Sequence, residues 1–315
     1  MKPETAQSVQ AKLKTLAKQN DLLVEKYNQA KIAVTAAQKA AALAQGDATT
    51  AQASFLSAQD AMSAAVAAQY ESGSFSTTGA LLSSSSGQTY LEQLNTLDMI
   101  SSHYALVVRN FDVQRTAANA ATQHAATLLK SAQARLAALA KQKSDLDAKI
   151  LAFRVLLATL TVPQRNAYQA SMAPMMTSAQ LNATLSSLSK LGVSGRAEKA
   201  VKFALAQIGK PYSYGAAGPG SYDCSGLTMA SWAQGGVSLP HSAQDQSSIG
   251  ARVPLDLAHL QPGDLLFYYQ PYIGHVTIYV GNNLAVSAPQ YGESVKLIPA
   301  LGGYLQPWMA TNPLG

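Results

Sequence analysis

One cysteine, Cys224, stands among 315 residues. A lone thiol forms no internal disulfide, so it is either a small buried hydrophobe or a nucleophile. Its neighbourhood favours the nucleophile. A glycine-rich loop spans 215–220, Asp223 reads as a helix N-cap, and the run 227–233 continues as a helix. Cys224 would then open that helix, where the partial positive charge of the helix end lowers a thiol's pKa and holds the thiolate. A cysteine nucleophile needs a base. About fifty residues on, Gly274-His275-Val276-Thr277-Ile278-Tyr279-Val280-Gly281 alternates as a strand does, with His275 at its start. Imidazole at that place can take the thiol proton and return it to a leaving amine. Read alone, His275 also fits a strand-end histidine with a local bond.

The elements that must position this pair form an α+β pattern of helices followed by a sheet. One helix is predicted over 197–207 and a second over 224–234, stopped by Gly235-Gly236. Short strands are predicted over 264–269, 275–280, 284–287, 294–298 and 308–311.

The first half of the chain has another character. From Leu13 a single register of three- and four-residue steps runs through Leu16, Asn20, Leu23, Tyr27 and a series of alanines to Ala65, the seam of a coiled coil. Asn20 is a polar residue in that seam and suits a register-fixing role. Glycines and serines from Tyr70 to Gly87 break the pattern and read as a hairpin tip. A second register runs from Tyr104 to Leu160. Two such helices imply an antiparallel hairpin about 90 Å long, although the same seams could close between two chains. Pro163 is expected to end the second helix, because its ring cannot continue the hydrogen-bond ladder. The predicted organisation is a helical hairpin over 1–162, a linker over 163–194 with a short helix near 179–191, and a C-terminal domain over 195–315. Met172-Ala173-Pro174-Met175-Met176 is apolar for a linker. It is either a loop packed on its neighbours or a plug for the cleft.

Charged residues are only 13% and aromatics 7% of the chain, and the net charge is +6. So small an excess suits an anionic surface no better than ordinary solvation. Aromatics do not interleave with the basic residues, so nucleic acid is set aside as a partner. No run of eighteen apolar residues exists to cross a membrane. Met1-Lys2-Pro3-Glu4-Thr5 leads into a polar helix and lacks a signal peptide's apolar core.

Five ordered blocks carry a resemblance. They are Gly209-Lys210-Pro211-Tyr212-Ser213-Tyr214-Gly215, Asp223-Cys224-Ser225-Gly226-Leu227, Leu239-Pro240-His241-Ser242, Gln261-Pro262-Gly263-Asp264-Leu265-Leu266-Phe267, and Gly274-His275-Val276 with Tyr279-Val280-Gly281. From about Gly195 onward the chain resembles the NlpC-type papain-like cysteine peptidases, which cleave the peptide stems of bacterial peptidoglycan.

The resemblance implies that Cys224 is the nucleophile and His275 the base. It implies that the Tyr212 hydroxyl and the Cys224 backbone N–H serve the oxyanion, and that Ser225 and His241 lie at the substrate. Ordinary packing remains an alternative for Tyr212, and a capping or surface role for His241. The family places a polar residue twelve positions after the histidine to orient its ring; here that is Ser287, shorter than a carboxylate. Ser287 could orient His275, Gln290 could substitute, or the domain could be impaired. Asp223 beside a thiolate would oppose activation if it pointed inward.

His103, His124 and His259 lack partners at ligand spacing, so neither a metal nor another cofactor is expected. Gly218-Pro219-Gly220 lacks the Lys-Ser/Thr of a phosphate loop. The resemblance also implies export, and hence a signal missing from this chain. The expected function is an extracytoplasmic peptidoglycan endopeptidase cutting the D-glutamyl–diaminopimelate bond. The architecture resembles division hydrolases whose coiled coil holds the enzyme off until a membrane ABC-transporter complex of the FtsEX type releases it. The alternatives are an impaired wall-binding scaffold, another thiol reaction on the same fold, and a rod-like adaptor.

Overall fold

The computed structural model describes residues 6–71, 84–166, 186, 195–303 and 305–315. The apolar stretch at Met172–Met176 and most of the predicted tip lie outside the described residues. By contacts the chain divides into Met1–Ala33 with Ala137–Gly315, and Val34–Leu136. The contacts group the first 33 residues with the C-terminal domain.

Two long helices, α1 (Ala6–Glu71) and α2 (Gly87–Ala158), follow from alanine-rich sequence with no internal proline. Within the first unit, Leu13 and Ala17 of α1 pack against Phe153 and Leu160. Val24 packs against Leu146 and Ile150. Rising numbers on α1 meet falling numbers on α2, so the pairing is antiparallel and closes within one chain. Within the second unit, Ala44 and Ala48 meet Ala125, and the Phe55 ring lies 5.5 Å from Phe111. No helix among the described residues is long and apolar enough to cross a membrane.

Pro163 does not end α2, which stops at Ala158. It lies in a new helical turn over 162–166. Thr161 caps that turn: its N–H donates to Gln164 Oε1 at 2.9 Å, and its Oγ1 accepts from the Gln164 N–H at 3.5 Å. A proline's missing N–H costs nothing in a first turn.

The C-terminal part places α3 (Gly195–Ala206), α4 (Cys224–Gln234) and the short α5 (Ala243–Gln246) around one antiparallel sheet. Its strands are β1 (Ala251–Val253), β2 (Leu265–Tyr268), β3 (His275–Gly281), β4 (Leu284–Ser287), β5 (Lys296–Pro299) and β6 (Pro307–Asn312), in the order β1-β6-β2-β3-β4-β5. β2 and β3 are buried throughout, and alternation sorts their side chains to two faces. Leu265, Phe267, Val276, Ile278 and Val280 join the cluster that holds α3 and α4. Leu266, Tyr268 and Tyr279 join a second cluster with Ala285 and Ile298. α5 and β1 were not anticipated; at four and three residues they carry no periodic signal.

Candidate active site

Cys224 is the first residue of α4 and is buried. Asp223 caps the helix, its Oδ1 accepting the Gly226 N–H at 2.7 Å. Gly226 is required there, because a Cβ would collide with the Ala216 carbonyl oxygen and crowd His241 Nε2 at 2.9 Å. The expected lowering of the thiol pKa is not what the site does. Burial pushes the Cys224 thiol well up, and the carboxylates of Asp223, Asp21 and Glu25 push the same way. The backbone N–H of Val276, next to His275, is the one opposing contact, since it donates to the sulfur. Desolvation, with three carboxyl groups nearby, outweighs half a charge at a helix end.

His275 opens β3 and is buried, its ring 5.4 Å from that of Tyr268. Its Nε2 is 3.0 Å from Ser287 Oγ, at the end of β4. Its Nδ1 is buried with no hydrogen-bond partner among the described residues. Desolvation lowers the ring's pKa to about 4. At neutral pH the imidazole is therefore uncharged, with one nitrogen held and the other able to accept a proton.

The other predicted residues gather around Asp223. Ser225 is buried, and its Oγ donates to Asp223 Oδ1 at 3.4 Å. His241 Nε2 meets the same oxygen at 2.8 Å, so this histidine belongs to the cap rather than to the surface. Tyr212 is buried, and desolvation with the nearby charges of Asp21 and Asp223 keeps its hydroxyl protonated, a donor. Gln290 donates to Glu293 at 2.7 Å. His259 pairs with Asp256, outside the site.

Residues 209–312 match the NlpC/P60 family. This stretch holds every predicted site residue and all six strands of the sheet. The C-terminal part of this chain is an NlpC/P60 domain. NlpC/P60 is a cysteine peptidase family. A probable endopeptidase of Mycobacterium tuberculosis is 43% identical over 108 residues, 34% of this chain and 27% of its own. The peptidoglycan endopeptidase RipA of the same organism is 34% identical over 125 residues, 36% of this chain and 26% of its own. A solved P60 domain from a Mycobacterium avium subspecies paratuberculosis antigen is 30% identical, covering 38% of this chain and 96% of its own, at a TM-score of 0.34. The chain spans about a quarter of the length of these curated relatives.

The NlpC/P60 domain is met by residues that the sequence reading passed over. Asp21, Glu25 and Asn28 of α1 are all buried. Glu25 accepts from Ser242 Oγ at 2.5 Å and from the backbone N–H groups of Ala243 at 2.7 Å and Gln244 at 3.3 Å. Asn28 Nδ2 donates to Asp223 Oδ2 at 3.0 Å and to Ser225 Oγ at 3.4 Å. Tyr269 donates to Asp21 at 2.9 Å. The spacing of the three was visible as a polar stripe beside the apolar seam; its partners, some two hundred residues away, were not.

Proposed function

We propose that this chain is a peptidoglycan endopeptidase that hydrolyses stem-peptide amide bonds through Cys224 and His275. The observation that carries the reading is the histidine: Nε2 is held by Ser287, Nδ1 is buried without a partner among the described residues, and Val276, the next residue, donates its N–H to the thiol that opens α4.

In the reaction, Cys224 Sγ attacks the scissile carbonyl carbon while His275 Nδ1 takes its proton. Nε2–H donates to Ser287 Oγ, which fixes the tautomer. The Cys224 N–H and the Tyr212 hydroxyl donate to the developing oxyanion. Collapse forms a thioester and breaks the C–N bond, and the imidazolium returns its proton to the leaving amine. Water, deprotonated by the same nitrogen, then hydrolyses the thioester and restores the thiol. With the thiol raised and the imidazole near 4, the resting pair is neutral, and proton transfer accompanies attack.

The relatives' names, endopeptidase and peptidoglycan endopeptidase, support the substrate class. The bond we assign is D-glutamyl–diaminopimelate, which places the protein outside the cytoplasm, secreted or in the wall. We assign the helical hairpin a regulatory role in cell division or wall remodelling, with a membrane complex of the FtsEX type as its partner.

The test is hydrolysis of a diaminopimelate-containing stem tetrapeptide by the full chain and by residues 195–315, with Cys224→Ala as blank. Cutting by the short form, lost more than about a thousandfold in the blank, is expected. If neither form cuts, the reading gives way to a wall-binding scaffold.

A further inference from the structure

We propose that the Val34–Leu136 part of the hairpin pairs with a second copy of this chain, α2 of each copy lying over α1 of the other in a four-helix bundle. The proposal rests on the two helices of that unit alone, and it holds whether or not the C-terminal domain cuts.

The seam that joins α2 to α1 uses one stripe of α2, through Phe111, Ala118, Ala125 and Ala132 at steps of seven. A second stripe runs beside it. Met99, His103, Leu106, Asn110, Val113 and Ala117 follow in alternating steps of four and three, and all six are exposed. Met99 is 73%, Leu106 64% and Val113 56% exposed. Alternating steps of three and four mark a coiled-coil seam. On the heptad wheel this one lies about 100° around α2 from the first. A helix in a two-helix hairpin needs one seam, whereas a helix in a four-helix bundle needs two, roughly a quarter-turn apart.

α1 carries the complementary stripe. Leu43, Asp47, Thr50, Ser54, Ser57 and Ala61 keep the same steps and are exposed, and all but Leu43 are short. With Asn110 and Gln114 of α2, the residues Ser54, Ser57 and Ala61 line a groove of about 460 Å³. One face therefore sets a row of large apolar side chains beside a row of short ones. An isologous pair requires this, because each copy must offer both the knobs and the groove that receives them.

Charge and area agree with a second copy as the occupant. Along this face α1 bears Asp47 and Asp60 and α2 bears Arg109, all exposed. The contact of Phe55 with Phe111 sets Asp60 and Arg109 within about one turn of the same height. A two-fold axis near that height brings Arg109 of each copy to Asp60 of the other and sets Leu106 over the facing groove. Ala44 meets Ala125, so from Met99 to the height of Leu43 the face is about 40 Å long and two helices, about 20 Å, wide. It would bury about 800 Å² on each copy, the size of a standard specific interface.

The test is sedimentation equilibrium of the full chain at about 50 µM, above the micromolar Kd of a weak specific interface. The parent is expected at the mass of two chains. Leu106→Glu, which enters the symmetric interface twice, should weaken pairing at least about a hundredfold. Leu129→Glu, on the opposite side of α2, should leave it unchanged. Arg109→Asp and Asp60→Arg should each weaken pairing by about tenfold, and the two together should restore it. Circular dichroism of each variant separates loss of pairing from loss of helix, and the charge swap decides if Leu106→Glu unfolds. A parent that stays monomeric overturns the proposal and leaves the face to a different partner. So does a folded dimer indifferent to Leu106→Glu, or a double swap that pairs no better than either single change.

Discussion

The hairpin is built by one principle and used in two ways. In the unit Val34–Leu136 the buried seam is almost wholly alanine, among them Ala44, Ala48, Ala118, Ala125 and Ala132. Each contact removes little apolar area, and side chains such as Leu43, Met99 and Leu106 stay exposed. In the first 33 residues the same α1 buries Leu13 and Val24 on one side and Asp21, Glu25 and Asn28 on another. There the helix has two partners, α2 through apolar contacts and the NlpC/P60 domain through polar ones. Alanine lets helices pair with few specific demands. Charge buried against a domain fixes position and makes it depend on protonation.

The largest effect should separate these regions directly. Phe153→Ala, at a side chain only 1% exposed, should cost about 3–5 kcal/mol in denaturant unfolding. A loss below 1 kcal/mol would mean that the apolar contacts at the base contribute no more than the alanine seam.

The polar side is tested by pH. Burial raises Asp21 and Glu25 in the docked helix, with Glu293, Asp223 and Asp245 adding to the push. A group raised on docking favours the docked state in acid, and that stabilisation is lost as pH climbs from the ordinary carboxylate range through the raised values. Cys224 alkylation in the full chain should therefore rise with pH ahead of the thiol's own ionisation, by about tenfold for each 1.4 kcal/mol lost. Glu25→Gln, which cannot ionise, should flatten that rise. Parallel profiles for parent and variant would break the link between buried charge and docking.

A neutral contact in the same unit should matter less than the charged ones. Ser287→Ala removes one hydrogen bond to His275, worth about 1 kcal/mol. In a Glu25→Ala background it should lower kcat roughly fivefold with KM steady. A shift in KM alone would place Ser287 with substrate and not behind the histidine. The smallest effect belongs to the distal seam. Phe55→Ala, losing the ring contact with Phe111, should cost about 1 kcal/mol by the same denaturation measurement.

The two-part architecture was legible because its signals are periodic and local. The start of α4 at Cys224 and of β3 at His275 could be read from a cap, a glycine-rich loop and an alternation. The extent of the antiparallel seam followed from its steps. The contacts of Asp21, Glu25 and Asn28 were not legible, because nothing near them in the chain names a partner more than 190 residues away. The thiol's raised pKa was missed because burial, its main cause, is set by tertiary packing, and two of the three carboxyl groups near it come from α1. Pro163 misled because the reciprocal bonds between Thr161 and Gln164 turn a helix breaker into part of a helix start.

The buried, protonated state of Cys224 bears on the lifetime of the protein as well as on its rate. Oxidants attack thiolates far faster than thiols, and reach exposed sulfur before buried sulfur. A lone cysteine has no second thiol in its chain to trap a sulfenic acid as a disulfide, so one oxidation would end its service until an outside thiol repaired it. On the reading proposed above, Cys224, 4% exposed and with three carboxyl groups nearby, would rest in a storage form, a nucleophile shielded from oxidants between turnovers.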